Sequence, residues 1–238
     1  MRKDVPTLER LNLQHCEGGI MVLRFEVVVE TKVVSKDGRV ISVRRFKSRS
    51  FVSNFLKFLF EIYRAGQTTT KTTSVGTAYL SPSVDTLTDV NGVARNILTG
   101  FDLSGDVTPS YSVCSVDAPE TDDSYGIVVG TGTTAVTMND VNLESKILHG
   151  TTSGRLYYGK TDVKNWSVSD TEAKFDVTRL FTNYASDINV SEIGIIAKIN
   201  LANAEDSRFL IVRDVISPAD TVPTNYNYIV TYTFKIVV

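Results

Sequence analysis

Two cysteines, two histidines, one tryptophan and six prolines are all that this 238-residue sequence holds of those types. Each scarcity removes a class of protein. Cys16 and Cys114 lie far apart in the chain. They can pair, and two free thiols is the simpler reading; neither makes a disulfide scaffold. His15 and His149 have no partner at zinc-ligand spacing, so the sequence offers no metal site. Long hydrophobic runs are missing too: no stretch approaches the roughly 20 apolar residues of a membrane span. The opening MRKDVPTLERLNLQHCEGG has no apolar signal core, so synthesis and retention in a cytoplasm is expected. A formal charge of −2 excludes a generally basic, nucleic-acid-coating protein.

Nor does catalytic chemistry stand out. The nucleophile elbow G-x-S-x-G does not occur. Gly154-Arg-Leu-Tyr-Tyr-Gly159-Lys160-Thr161 matches the phosphate-loop pattern by letter. A phosphate loop needs small residues and a following helix, whereas this stretch is bulky and strand-forming and leads into DVKNWSVSD. Gly130-Thr-Gly132-Thr-Thr-Ala135 resembles a dinucleotide fingerprint but lacks the helix and the βαβ alternation that would give it meaning. The acidic run Asp117, Glu120, Asp122 and Asp123 lacks the ligand alternation around a glycine that a calcium loop requires, and reads as a solvated turn. Arg179 and Glu192 fall in neighbouring β runs and are expected to pair structurally. No catalytic residue, cofactor-binding residue or metal ligand is assigned.

What the chain does have is strand pattern. The last third reads as four β runs: KFDVTRLFTN, INVSEIGIIAKI, RFLIVRDV and NYIVTYTFKIVV. In the last, Tyr228, Val230, Tyr232, Phe234 and Ile236 alternate with Ile229, Thr231, Thr233 and Lys235. So apolar a terminus is expected to be pinned in a sheet. In the second run, Ile188 and Val190 fall on even positions but Ile193, Ile195 and Ile199 on odd ones. One flat strand cannot bury both sets on one face, so a bulge or twist is expected near Glu192–Gly194.

Residues 20–46 read as a hairpin turning at Lys36-Asp37-Gly38, and Asn91-Gly92 marks another turn. The one helical pattern is 51–65, capped by Ser48 or Ser50 and ended by Gly66. Ser53, Asn54, Lys57, Glu61 and Arg64 form its polar face. Phe51, Phe55, Phe58 and Phe60 sit in an apolar arc wide enough to need cover from a sheet and from something further, with these phenylalanines as packing or interface anchors. Arg39, Arg44, Arg45, Lys47 and Arg49 precede the helix. They form either a basic patch for phosphate or an acidic partner, or the solvated face of the hairpin; nucleic acid is not expected as a partner.

The predicted organisation is an N-terminal arm at 1–19, a hairpin plus helix at 20–66, and a β-sandwich at 67–238, which with 20–66 forms one domain. The arm is either a frayed end or a segment reaching a neighbouring subunit. The fold class is mainly β, a jelly-roll-like sandwich with one N-terminal helix packed on it.

Three stretches carry a family resemblance: FKSRSFVSNFLKFLF, GIVVGTGTTAVTMNDVNLESKILHG, and VTRLFTNYASDINVSEIGIIAK closed by FLIVRDVISPADTVP. In this order they resemble structural proteins of tailed bacteriophages and archaeal viruses. The resemblance implies a virion component of capsid or tail. The apolar sheet faces and helix add the expectation of a homo-oligomer that meets other virion proteins, and the chain is read as no enzyme, with no cofactor and no membrane. The alternative is a tail-tip or fibre module that recognises a host surface ligand through loop aromatics such as Tyr79, Tyr111, Tyr125 and Trp166.

Overall fold

The computed structural model describes residues 24–48, 50–63, 69–73, 76–80, 87–102, 114–201 and 206–238. The arm at 1–19, Cys16, His15, Arg49, Gly66 and Tyr111 lie outside them. The described chain is mainly β with one helix, and its paired strands are antiparallel.

Two sheets carry the core. The larger has the order β10 (Tyr157–Val168), β11 (Glu172–Thr182), β14 (Asn227–Val237), β1 (Arg24–Val34), β2 (Val40–Ser48). The N-terminal hairpin is therefore not a separate body, because β1 pairs with the C-terminal strand from Arg24↔Val237 to Val34↔Asn227. Its turn closes as expected, with Gly38 at φ 81°. The smaller sheet pairs β13 (Asp206–Val222) with β12 (Ile188–Asn200), and β12 also pairs with β8 (Cys114–Ser115) and β9 (Gly126–Gly130).

Period-two alternation decides which side chains meet between the layers. Val27, Val29 and Val33 from β1, Tyr228, Val230 and Tyr232 from β14, and Val177 and Phe181 from β11 are buried in one cluster. Ile127, Val129, Ile193, Ile195, Leu210, Val212 and Ile216 of the smaller sheet share that cluster. The opposite face of the larger sheet is polar, carrying Glu26, Glu30 and Lys32 beside Arg45 and Lys47.

β12 is buried on both faces, which explains its two sets of isoleucines. Its register with β13 shifts between Val190 and Glu192, at the edge of the expected position, and again between Ile195 and Ile196. The cover on its second side is the irregular segment 131–147. A Cβ built on Gly194 would fall 2.9 Å from Leu143 Cδ1 of that segment. Further along, Ala197 and Ile199 join a second cluster with Leu87, Ile97, Leu201 and Phe209.

The remaining strands are short. β5 (Leu87–Thr88) and β6 (Ala94–Arg95) flank the Asn91-Gly92 turn, while β3 (Thr69–Thr73), β4 (Gly76–Leu80) and β7 (Leu98–Asp102) form a three-stranded sheet.

The helix, α1 (Ser53–Tyr63), departs from the sequence reading in two ways. Its start is set by backbone rather than by Ser48 or Ser50. Val52 N donates to Ile211 O at 3.2 Å, Arg213 N donates to Ser50 O at 3.2 Å, and Ser53 N donates to Met138 O at 2.9 Å. The Ser48 hydroxyl is committed elsewhere, to Asp214 at 2.8 Å. Its faces are also turned over. Asn54 and Glu61 are buried, while Leu56 is 60% exposed and Phe60 51%. Asn54 is drawn inward because it satisfies main-chain groups of β5 and β13: Nδ2 donates to Thr88 O at 2.8 Å and Leu210 O at 3.3 Å, and Oδ1 accepts from Thr88 N at 3.1 Å. A buried amide satisfied this fully outweighs the local preference for a polar outer face.

Candidate functional site

The residues singled out by sequence do not gather in one place. Alternation splits the basic patch. Arg44 turns to Asp220, with Nε 3.0 Å from Oδ1, and donates to the carbonyls of Ser217 and Pro218. Arg45 and Lys47 lie on the other face, bound to Glu30 and Glu26. Lys47 and Lys235 hold the Glu26 carboxyl below its ordinary range. Arg39 sits exposed at the turn. Among the described members, Arg45 and Lys47 are matched by carboxylates of their own sheet and Arg44 by Asp220 of the smaller sheet, which weakens a phosphate-binding reading.

The phenylalanines divide as well. Phe51 and Phe55 contact each other at 4.3 Å between ring centroids, and Phe25 joins Phe51 at 6.0 Å. Phe58 packs on the second core cluster. Phe60 is 51% exposed.

The nucleotide-like motifs resolve into strand and turn. Gly154 occupies a turn with φ 77°, and Tyr157 to Val168 is one strand, so no helix follows Lys160. After Gly130 the chain runs as the irregular segment 131–147. The acidic run diverges: Glu120 accepts from Tyr157 OH, Asp122 from Ser124 N, and Asp123 from Lys146 and His149 N. Among the described residues no group of three or more His, Cys, Asp or Glu side chains is placed to hold a metal. Burial pushes the Cys114 thiol up to about 11, which keeps it unreactive at neutral pH.

Arg179 and Glu192 do not pair; they belong to different sheets. Arg179 donates to the carbonyls of Gly159, Tyr125, Ile127, Pro119 and Asp122, and its guanidinium lies 4.7 Å over the Tyr158 ring. Burial lowers its pKa to about 10, so it stays charged at neutral pH. Its work is to fasten the 119–127 segment to the larger sheet. Glu192 pairs instead with Arg213. Both knots are saturated by backbone and side-chain partners, which is the signature of structural rather than reactive groups.

Among the described residues, an apolar shelf stands out where β1 begins and β14 finishes, at the end where the larger sheet extends past the smaller one. Along β14 the inner face passes from buried Tyr228, Val230 and Tyr232 to half-buried Phe234 and then Ile236, 44% exposed. Register carries the same row across four strands: Val168↔Ala173↔Ile236↔Phe25. Val168 is 65% exposed and Phe25 55%. One row inward, Phe175 stacks on Phe234 at 5.0 Å and 5° between planes. Trp166 and Val163 border a cavity of about 290 Å³ against Phe175. Phe25 connects the shelf to Phe51 and Phe55 at the start of α1.

Sequence reading missed the shelf because inner-face positions of a strand look alike whether or not another sheet reaches far enough to cover them. Trp166 was expected in a loop and lies on β10; Tyr125, expected to be exposed, is buried. Tyr79 lies on β4.

Comparison with protein-family models, with curated proteins and with solved structures returned no match.

Proposed function

We propose that this chain is a repeated structural subunit of a virus particle, capsid- or tail-associated, that acts by self-assembly and by contact with other virion proteins. The shelf is the observation that carries this reading. Exposed apolar side chains scattered singly are ordinary, but a row continuous over four strands and joined to an aromatic pair is an interaction surface. The row itself is apolar, with Lys164 the one charged side chain lining the cavity beside it, so it fits a flat, apolar partner, and the same shelf on a second copy is one. Two such faces pack about 10 Å apart, related by a two-fold axis. Covering Phe25, Ile236 and Val168 is worth about 1–2 kcal/mol apiece. The exposed Leu56 and Phe60 on α1 supply a further face for a different virion protein. A jelly-roll-like course of the two sheets belongs to the same proposal.

The test is the solution mass of the full chain by light scattering. The expected result is a multiple of the chain mass, reduced to a single chain by Val168→Asp with Ile236→Asp at unchanged melting temperature. A wild-type chain that stays single at high concentration overturns self-assembly. Mass spectrometry of purified particles that finds no stoichiometric copies of this chain overturns the virion assignment.

A further inference from the structure

The opposite end of the larger sheet is different in kind. It lies roughly 35 Å from the shelf at about 3.4 Å per strand residue. There the loops 118–124, 148–155 and 183–187 converge. Tyr157, the first residue of β10, meets Tyr184 edge to face at 5.9 Å and 81°, and His149 at 5.1 Å. Tyr157 OH donates to Glu120 Oε1 at 2.7 Å. Arg155 Nη1 donates to His149 O at 3.0 Å, and Ser153 Oγ lies 2.7 Å from Ser186 Oγ, tying two of the loops together. His149 Nδ1 accepts from Tyr158 N at 3.2 Å, which leaves Nε2 as the ring's donor. Tyr184 is 51% exposed, and Glu120 and Arg155 are exposed beside it.

Three properties narrow what this surface fits. Tyr184 is braced by Tyr157, so a ligand meets a ring whose freedom is already reduced. The negative face of an aromatic ring attracts polarised C–H groups, and a few polar groups around it fix orientation. Glu120, Asp122 and Asp187 outnumber Arg155 in these loops, so the rim turns away an anionic ligand, while its carboxylates can accept from hydroxyls. The apolar part is one ring, far below the roughly 800 Å² per partner of a stable protein interface.

We propose that this end binds a neutral saccharide, stacked through its C–H face on Tyr184 with its hydroxyls met by Glu120 and His149. The inference is independent of whether the chain self-assembles. It is tested on an array of neutral and acidic oligosaccharides with the full-length protein. Wild type is expected to retain neutral members, Tyr184→Phe to bind within about threefold of it, and Tyr184→Ala to lose at least about tenfold with an unchanged melting temperature. No retention by wild type, retention of acidic members alone, or equal retention by Tyr184→Ala overturns the proposal. So does capture of a protein ligand at this end that a neutral saccharide does not displace.

Discussion

Glu192 and Arg213 meet inside the smaller sheet with Oε2 and Nε 2.9 Å apart, and both side chains are almost wholly enclosed. Glu192 does more than balance a charge. It accepts from Gly132 N at 3.1 Å, Ser145 N at 2.7 Å and Glu144 N at 3.1 Å, so one carboxylate holds both ends of the 131–147 segment. Arg213 reaches on to Asp140 at 2.7 Å. Gly130 and Gly132 leave the space this needs: a Cβ on either would fall 2.4 or 2.5 Å from Glu192 Oε1.

Removing one partner from such a pair strands the other. Glu192→Ala is expected to cost about 3–5 kcal/mol in urea unfolding. Glu192→Leu combined with Arg213→Met is expected to cost less than the two single changes summed, because no buried charge is left alone. Additivity would show that the two residues act separately.

Acid should loosen the same segment. Backbone and hydroxyl donation from Thr134 holds the Glu144 carboxyl below its ordinary range. Burial works to raise Asp140, but hydrogen bonds from Thr137 and Arg213 outweigh it and leave Asp140 lowered too. With folded pKa values below the unfolded ones, the unfolded chain binds more protons in the window between them. The stabilisation is complete above about pH 5 and is lost as pH falls through the folded values. Melting temperature is expected to fall below about pH 5, and Asp140→Asn with Glu144→Gln to flatten part of that slope. An identical slope in the double variant would exclude these two groups as its source.

Arg179 offers a sharper contrast between two cations. Its planar fork serves five carbonyls, which one lysine ammonium cannot reach together. Arg179→Lys is expected to destabilise by at least about 3 kcal/mol and to raise proteolytic cutting within 119–127. Wild-type stability in this variant would show that water satisfies those carbonyls equally well.

The turned-over helix gives a paired comparison. Asn54→Ala leaves the Thr88 and Leu210 backbone groups unmet and is expected to cost about 1–3 kcal/mol. Leu56→Glu, on the open face, is expected to change stability by no more than about 0.5 kcal/mol. The opposite ranking in thermal melts would restore the outward-polar helix that periodicity alone suggests.

The hairpin at Gly38, the turn at Gly92, the alternation of β14 and the register break in β12 were legible without coordinates. Each is a local property: a positive φ that favours glycine, or a period of two in side-chain direction. The helix shows where this reading stops. Residues 53–63 announce a helix, but nothing in them says that the main-chain groups of Thr88 and Leu210 would claim Asn54 and leave Leu56 and Phe60 outside. The pairing expected of Arg179 failed for the same reason, since the two β runs entered different sheets.

By itself, then, the sequence determined that the chain is mainly β and announced the helix seen among the described residues. The tertiary structure alone decided that Val168, Ile236 and Phe25 share a row that no other described residue covers fully, and that Tyr157 and Tyr184 meet at the far end. Alternation tells which way a side chain points. Whether anything lies in that direction depends on where a distant strand ends, and residues close in the chain do not encode that.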